Sequence, residues 1–139
     1  MFNTTLTIFN ILREIWHPTV LQHAQVTQDR GYILRTYGAT SNDSVAIHLP
    51  VHEGTIEGKP YVGPREYEQL ADGSTAMTLR GGEHFDIVML GEWTEGPVND
   101  NDFPGGFYQV LRKERDNVWA INTVSGPYTT IPHFEITGR

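Results

Sequence analysis

Histidines and carboxylates are the residues of this sequence whose side chains could do chemistry. His48 and His52 lie four residues apart, a spacing that would place two imidazole ligands on one face of a helix. Pro50 lies between them and is not tolerated inside a helix, so we expect the two side chains at a strand end and in a loop. We expect structural roles for His23, His84 and His133. The sequence therefore predicts no metal site and no cofactor.

Pairs of carboxylates could support acid–base hydrolysis, which needs two carboxyl groups in different environments. Glu83 and Asp86 bracket the start of an apolar segment, and Glu92 and Glu95 flank Trp93, as in an aromatic-lined sugar site. Acidic residues at strand ends are usually solvated, so the sequence favours a protein that is not an enzyme. A hydrolase that uses Asp86, Glu83 or Glu92 is the enzyme class left open.

The other catalytic and metal-binding motifs are incomplete or missing in this sequence. The run Asp100-Asn101-Asp102 resembles the start of a calcium loop, but Phe103-Pro104 breaks the pattern and no glutamate occupies the twelfth position. The chain contains no cysteine, which excludes thiolate catalysis and disulfides. It also lacks a phosphate-binding glycine motif before a helix and a recognisable nucleophilic serine.

The charge is concentrated in the middle of the chain. The formal net charge is −7, and residues 40–111 hold twelve carboxylates against Lys59, Arg65 and Arg80. The only cluster of basic residues is Arg112, Lys113 and Arg115. A protein that grips phosphates needs a basic surface, so tight nucleic-acid binding is disfavoured.

The length of the chain and its turn signals define the elements that must position these residues. A chain of 139 residues is expected to form a single domain over residues 1–139. No apolar stretch approaches the ~20 residues of a membrane-spanning helix, and no basic residue precedes the apolar start as in a secretory signal, so we expect a soluble protein that is not exported. Short segments rich in β-branched and aromatic residues alternate with turn signals. The predicted strands are 4–10, 19–27, 32–37, 44–49, 75–79, 85–93, 107–111, 117–124 and 129–137.

These elements predict an all-β protein, a small antiparallel β-barrel of about seven to nine strands. Strands 19–27 and 32–37 are expected to form a hairpin, and the apolar run within 85–93 fits a strand that is covered on both sides. One short helix is predicted near 64–71, because Pro64 suits a first helical position. Long loops are predicted at 50–63 and 94–106, with turns at 114–116 and 125–127.

Read in order, several segments resemble small neck proteins of tailed bacteriophages, of the head-closure or stopper class. They are the opening TLTIFN (5–10), the strand at 19–26, DSVAIHLP (43–50), GKPYVGPREYEQL (58–70), HFDIVMLGE (84–92) and SGPYTTIPHFEITG (125–138). Their order and spacing extend over about 130 residues. The sequence departs from the family at His84-Phe85-Asp86, where relatives carry a glycine before the aspartate, and at Phe134, where they usually carry tryptophan.

This resemblance implies a β-barrel subunit that forms a homo-oligomeric ring below the portal or adaptor protein. The ring would join the tail-terminator or tail-tube protein and help to retain the packaged double-stranded DNA, which passes through without sequence-specific binding. It implies location in the virion neck after synthesis in the host cytoplasm, with no catalysis, cofactor or membrane contact. An adaptor or tail-terminator ring of the same neck is the first alternative. A small ligand-binding barrel, with Trp93, Trp119 and Phe85 lining its pocket, is an alternative of another class.

The connector hypothesis assigns roles to loops and aromatic side chains. The long loops would contact a neighbouring subunit or line the DNA channel, and tyrosine and tryptophan would anchor interfaces. The candidate loop residues are Glu53, Glu57, Lys59, Glu95, Asn99, Asp100, Asn101 and Asp102, and the candidate interface aromatics are Trp16, Trp93, Tyr128 and Phe134. Deletion of residues 96–102 is expected to leave the fold intact and to impair ring assembly or genome retention.

Overall fold

The computed structural model of the chain describes residues 4–30, 43–128 and 131–139. The predicted strand at 32–37 and its hairpin lie outside the described residues, as do residues 129 and 130 of the last predicted strand. The described residues form nine strands, which are β1 (Thr4–Leu12), β2 (Ile15–Arg30), β3 (Asp43–Pro50), β4 (Thr55–Ile56), β5 (Lys59–Pro60), β6 (Ile87–Leu90), β7 (Val98–Asn99), β8 (Val118–Tyr128) and β9 (His133–Gly138). This part of the chain also contains two α-helices, α1 (Pro64–Glu68) and α2 (Phe107–Glu114).

Six strands form a closed antiparallel barrel in the order β1-β6-β8-β9-β3-β2, and β2 pairs back with β1 to complete the circle. The predicted small antiparallel barrel is therefore confirmed. Strand β7 adds to the outer end of β2 through Ile15 and Trp16, and β4 and β5 form a separate two-stranded hairpin. Closure leaves each of the six barrel strands with a partner on both sides, which removes the free edges of an open sheet.

Two long strands make the corners of the barrel by changing partners along their length. Strand β2 pairs with β1 over residues 15–24 and with β3 over residues 25–30. Strand β8 pairs with β6 over residues 118–120 and with β9 from Ile121 onward. The pairing register shifts next to both strands. In the β1–β2 pair the shift lies between Thr4 and Leu6 of β1, and in the β8–β9 pair it lies between Ile121 and Thr123 of β8. Such irregularities bend a sheet sharply enough to close it.

The barrel interior is filled by apolar side chains from every barrel strand. Val45, Ile47 and Leu49 of β3 alternate inward as predicted and are 1–2% exposed. The other buried members of this inner core are Leu6, Ile8, Leu21, Ala24, Ile56, Met77, Leu79, Val88, Trp119, Ile121, Phe134 and Ile136. Because side chains occupy the interior, the barrel is a packed core rather than a container.

A second core covers the outer face of β1 and β6. Phe9, Ile87 and Met89 point away from the barrel interior and pack against Phe107 and Leu111 of α2. Strand β6 is consequently buried on both faces, with Ile87, Val88 and Met89 all at 0–1% exposure, as its apolar run predicted. The other buried members are Trp16, Val98, Tyr108 and Val118.

The predicted strand at 107–111 is wrong, because these residues begin the helix α2. The three buried residues Phe107, Tyr108 and Leu111 lie on one face of that helix. Gly106 precedes it with a φ of 96°, which favours glycine, and Arg112 and Lys113 occupy its last turn, where cations are favourable. An isolated eight-residue helix is marginal in water, so packing on β1 and β6 decides its conformation.

Several predicted boundaries also change. Residues 75–79 form no strand; Met77 makes a single bridge to Tyr61, and residues 76–79 are buried. Strand β2 begins before Pro18 and runs through it, and β8 continues through residues 125–127, where a turn was predicted. Helix α1 is confirmed over Pro64–Glu68 and is shorter than predicted. The predicted loop at 50–63 contains β4 and β5, and the predicted loop at 94–106 contains β7.

Candidate functional site

The loop at 50–63 is held against the barrel by two of the predicted site residues. The Glu57 carboxylate accepts hydrogen bonds from the backbone N–H groups of Gln22 and His23, both at 2.8 Å. Lys59 Nζ donates to Thr19 Oγ1 at 2.7 Å. These contacts reach β2 just before it changes partners, so they fix the loop at a corner of the barrel. Glu53 lies at the tip of the loop and is exposed.

The loop at 94–106 is built around Asp100. Its Oδ1 accepts hydrogen bonds from Trp16 Nε1 at 2.9 Å and from the backbone N–H of Phe107 at 2.8 Å, so one carboxylate joins β2 to the start of α2. Asn101 Nδ2 donates to Glu14 Oε2, and the Asn99 side chain accepts from the Asn101 N–H. The loop is therefore a folded part of the protein.

This organisation contradicts the expectation that residues 96–102 can be deleted without damage to the fold. The segment contains Val98, which is 9% exposed and pairs with Trp16, and it contains the Asp100 carboxylate. Deletion would remove β7 and the hydrogen bonds that Asp100 makes to Trp16 and Phe107. Point substitutions at exposed side chains are the appropriate probes of this loop.

Three of the predicted loop carboxylates remain available at the surface. Glu95 and Asp102 are exposed and have no hydrogen-bond or ion-pair partner within residues 4–30, 43–128 and 131–139. Glu53 lies 3.8 Å from His52 Nε2, with both side chains at least 85% exposed, so this contact does not occupy it. The other five candidates, Glu57, Lys59, Asn99, Asp100 and Asn101, form side-chain hydrogen bonds within the protein. The side-chain hydrogen bond of Asn99 stays within its own loop.

The predicted interface aromatics separate into buried and accessible side chains. Trp16 and Phe134 are 6% and 1% exposed and belong to the outer and inner cores. They are therefore core residues in this structure. Trp93 is half-buried; its Nε1 donates to the Gly96 carbonyl, and its ring meets Phe9 and Phe107 edge-on. Tyr128 is 44% exposed and can reach a partner.

The pocket suggested for a ligand-binding barrel is absent from the described part of the chain. Trp119 is 3% exposed inside the barrel, whereas Phe85 and Trp93 pack against the outer core on the opposite face of the sheet. The three side chains therefore do not line a common cavity. A shallow groove of about 430 Å³ lies instead near Arg80, with Phe85, Glu83 and His84 along one side.

Asp86, one of the predicted hydrolase carboxylates, is fully buried in an ion pair with Arg80. Arg80 Nη2 lies 2.7 Å from Asp86 Oδ1, while Arg80 Nε and the Arg80 backbone N–H donate to Oδ2 at 3.1 and 2.9 Å. Burial raises the pKa of Asp86 to about 6, and the Arg80 contacts oppose that shift. Arg80 Nη2 also donates to the Ile11 carbonyl, so the pair ties the end of β1 to the start of β6.

The acidic middle of the sequence forms exposed carboxylates in many parts of the surface. Among its carboxylate residues whose side chains the structure describes, nine are exposed, namely Glu53, Glu57, Glu66, Glu68, Asp72, Glu83, Glu92, Glu95 and Asp102. A surface of this charge repels nucleic-acid phosphates. Across the described residues, no helix has the length and apolar character required to cross a membrane.

Comparison with known proteins defines the family of this barrel. The chain belongs to a family of unknown function, DUF6751, whose model matches residues 1–139. No curated protein and no solved structure matches the chain.

Proposed function

We propose that this protein is a structural connector subunit of a tailed-bacteriophage neck, of the head-closure or stopper class. It forms a ring below the portal or adaptor, joins the tail-side ring and retains the packaged DNA. An adaptor or tail-terminator ring of the same neck is the nearest alternative. The proposal rests on the order of sequence segments that resemble those neck proteins, and on one structural observation.

That observation is the construction of the two long loops. Both are anchored to the closed barrel by buried or charge-assisted hydrogen bonds, and both leave carboxylates free at their surfaces. Rigid loops can contact a neighbouring subunit without a large loss of conformational entropy. Free carboxylates that face a channel would repel the DNA backbone and let it slide.

The filled barrel and the buried Asp86 also favour a structural role. The barrel interior holds side chains where a ligand would bind, and the Asp86 oxygens are occupied by Arg80. These two features weaken the alternatives of a ligand-binding barrel and a hydrolase.

The test is a cryo-EM map of tailed particles assembled from a genome that encodes this chain. The expected result is a ring of this barrel around the DNA axis between portal and tail. A genome in which the gene carries an early stop codon should yield DNA-filled heads that lose their DNA and lack tails. Normal tailed particles without the protein would overturn the proposal, and a ring at the tail end would favour the tail-terminator class.

Substitutions at the free carboxylates sharpen this test. A Glu95→Lys, Asp102→Lys double variant should fold normally and lower the yield of complete particles at least tenfold. Glu66→Lys, Glu68→Lys is the matched control, because it makes the same charge change at exposed sites on α1. Equal losses in the two variants would mean that net charge, rather than the loop surface, matters.

A further inference from the structure

Two histidines and one glutamate converge on the outer face of the barrel, far from one another in sequence. His48 lies on β3, and its Cα pairs with that of Glu135 on β9. His133 lies two residues before Glu135 on the same strand, and side chains two residues apart share one face of a strand. Their neighbours Leu49, Phe134 and Ile136 point into the barrel core, so the three polar side chains face outward.

The potential ligand atoms are already close together. His48 Nε2 lies 3.4 Å from Glu135 Oε1, and His133 Nε2 lies 3.2 Å from Glu135 Oε2. One ligand atom from each of the three residues lies within 4.8 Å of the other two. Metal–ligand bonds of about 2.0–2.2 Å in a tetrahedron place neighbouring ligand atoms about 3.4 Å apart. Each imidazole is about this far from one oxygen of Glu135, His48 from Oε1 and His133 from Oε2.

The orientation of His133 turns its Nε2, rather than its Nδ1, toward Glu135. Its Nδ1 lies 2.5 Å from the Ile131 carbonyl oxygen, which can only accept, so Nδ1 carries the proton. In the neutral ring Nε2 then holds the lone pair, and this atom faces Glu135. A backbone carbonyl that fixes the tautomer in this way is the usual outer contact of a metal-binding histidine.

Ring packing restricts the two imidazoles. Because a metal ion lies in the plane of each imidazole that binds it, one of these parallel rings would rotate when both bind the same ion. The rings of His48 and His133 stack with centroids 5.2 Å apart and planes 7° from parallel, and Tyr128 stacks on the other side of His133 at 4.9 Å. The exposed fractions of the His48, His133 and Glu135 side chains are 38%, 20% and 44%. The cluster is therefore ordered but open to ions from solvent.

We propose that His48, His133 and Glu135 bind one divalent transition-metal ion, for which Zn²⁺ is the natural probe. Two imidazole nitrogens and one carboxylate are borderline ligands that suit Zn²⁺ and its neighbours better than Ca²⁺ or Mg²⁺. Three protein ligands leave a fourth position for water or for an incoming group. The ion would link β3 to β9 on the outside of the barrel. This site is independent of the proposed neck function.

The test uses the full-length chain without a histidine tag, treated with chelator, dialysed and titrated with Zn²⁺ alone in a calorimeter at pH 7.5. One Zn²⁺ per chain is expected to bind, with an increase in Tm. Co²⁺ in place of Zn²⁺ should give the visible absorption of a four-coordinate site. His48→Gln, His133→Gln and Glu135→Gln should each weaken Zn²⁺ binding at least ~10-fold, the smallest loss typical even for outer-contact residues.

His52→Gln is the matched control, since His52 is an exposed histidine beside an acidic residue outside the cluster. It should bind Zn²⁺ as the unmodified chain does. Circular dichroism checks that each variant is folded, and Glu135→Gln is the most conservative change if a histidine variant fails. Unchanged affinity in the folded cluster variants, or no binding by the unmodified chain, would overturn the proposal.

Discussion

Glu53 and Glu57 occupy equivalent positions in two successive Glu-Gly turns of the chain. Glu53 and Gly54 have φ values of 51° and 78°, and Glu57 and Gly58 have 50° and 86°. Both turns are two-residue hairpin connections with positive φ at both positions, where asparagine is favoured over glutamate at the first. A glutamate in this left-handed region costs about 1 kcal/mol. Only Glu57 offsets that cost, through its bonds to the backbone of β2.

The two turns make a matched pair of substitutions. Glu53→Asn should raise the free energy of unfolding by about 0.5–1 kcal/mol, because it relieves the left-handed backbone and loses only the exposed contact with His52. Glu57→Asn should lower it by about 1 kcal/mol or more, because two charge-assisted hydrogen bonds disappear. Urea unfolding measures both values. A stabilising Glu57→Asn would mean that the carboxylate contributes little to the corner of the barrel.

Tyr67 gives the protein a defined response to alkaline pH. Its side chain is fully buried, its hydroxyl donates to the Gly73 carbonyl at 3.0 Å, and burial raises its pKa to about 12. Its pKa in the unfolded chain is about 10. The folded state therefore retains the proton more strongly, so this contribution to stability is fully present below pH 10 and is lost as pH rises from 10 to 12.

Tyr67→Phe tests this dependence. The variant should lose about 1 kcal/mol at pH 8 with the hydrogen bond, and its stability should fall less steeply than that of the unmodified chain between pH 10 and 12. Thermal unfolding at a series of pH values measures both effects. Tyr128→Phe, at an exposed tyrosine, is the control for removal of a tyrosine hydroxyl. Parallel curves for the Tyr67→Phe and unmodified chains would contradict the assignment.

Helix α2 is stabilised at its N-terminus by Asp100, a residue that precedes the helix. The Asp100 carboxylate accepts the Phe107 N–H at the start of the helix, where a negative charge is also favoured by the helix dipole. Asp100→Ala should lower the free energy of unfolding by about 1–3 kcal/mol, because Trp16 Nε1 also loses its acceptor. Asp102→Ala, two residues away and exposed, should change it by less than about 0.5 kcal/mol. Equal effects in urea unfolding would argue against this helix cap.

The whole molecule is organised as two cores that share strands. Phe9 and Ile87 face α2, whereas their neighbours Ile8 and Val88 face the barrel interior. Loss of one core would expose one face of β1 and β6. The opposite face of the same two strands forms part of the other core. We therefore expect the two cores to unfold together in a single transition.

Phe107→Ala tests this coupling, because Phe107 contacts Phe9, Trp93 and Phe103 in the outer core alone. The variant should lose about 3–5 kcal/mol of stability, as is typical for removal of a buried phenylalanine. Near-UV circular dichroism, which is sensitive to the tryptophans, should still follow the same urea curve as the far-UV signal from the strands. Loss of the near-UV signal at lower urea concentration would mean that the outer core unfolds separately.

The sequence by itself determined those strands that can be recognised from the pattern of apolar side chains within the strand. The alternation at Val45, Ile47 and Leu49 predicted a half-buried strand, and the run from Ile87 to Leu90 predicted one covered on both faces. Turn residues between such segments were sufficient to predict an all-β barrel, because strand spacing and turn chemistry are encoded in adjacent residues. The connector role stays a prediction that depends on resemblance.

Tertiary structure alone decided the features that join distant residues. Helix α2 was predicted as a strand because its cap, Asp100, and its packing partner, Phe9, lie outside its own sequence. The approach of His48 to Glu135 depends on the register of β3 against β9, although the spacing of His133 and Glu135 was a local signal that could have been noticed. Register is set by the closure of the whole barrel, since a slip of one residue would turn every side chain to the opposite face.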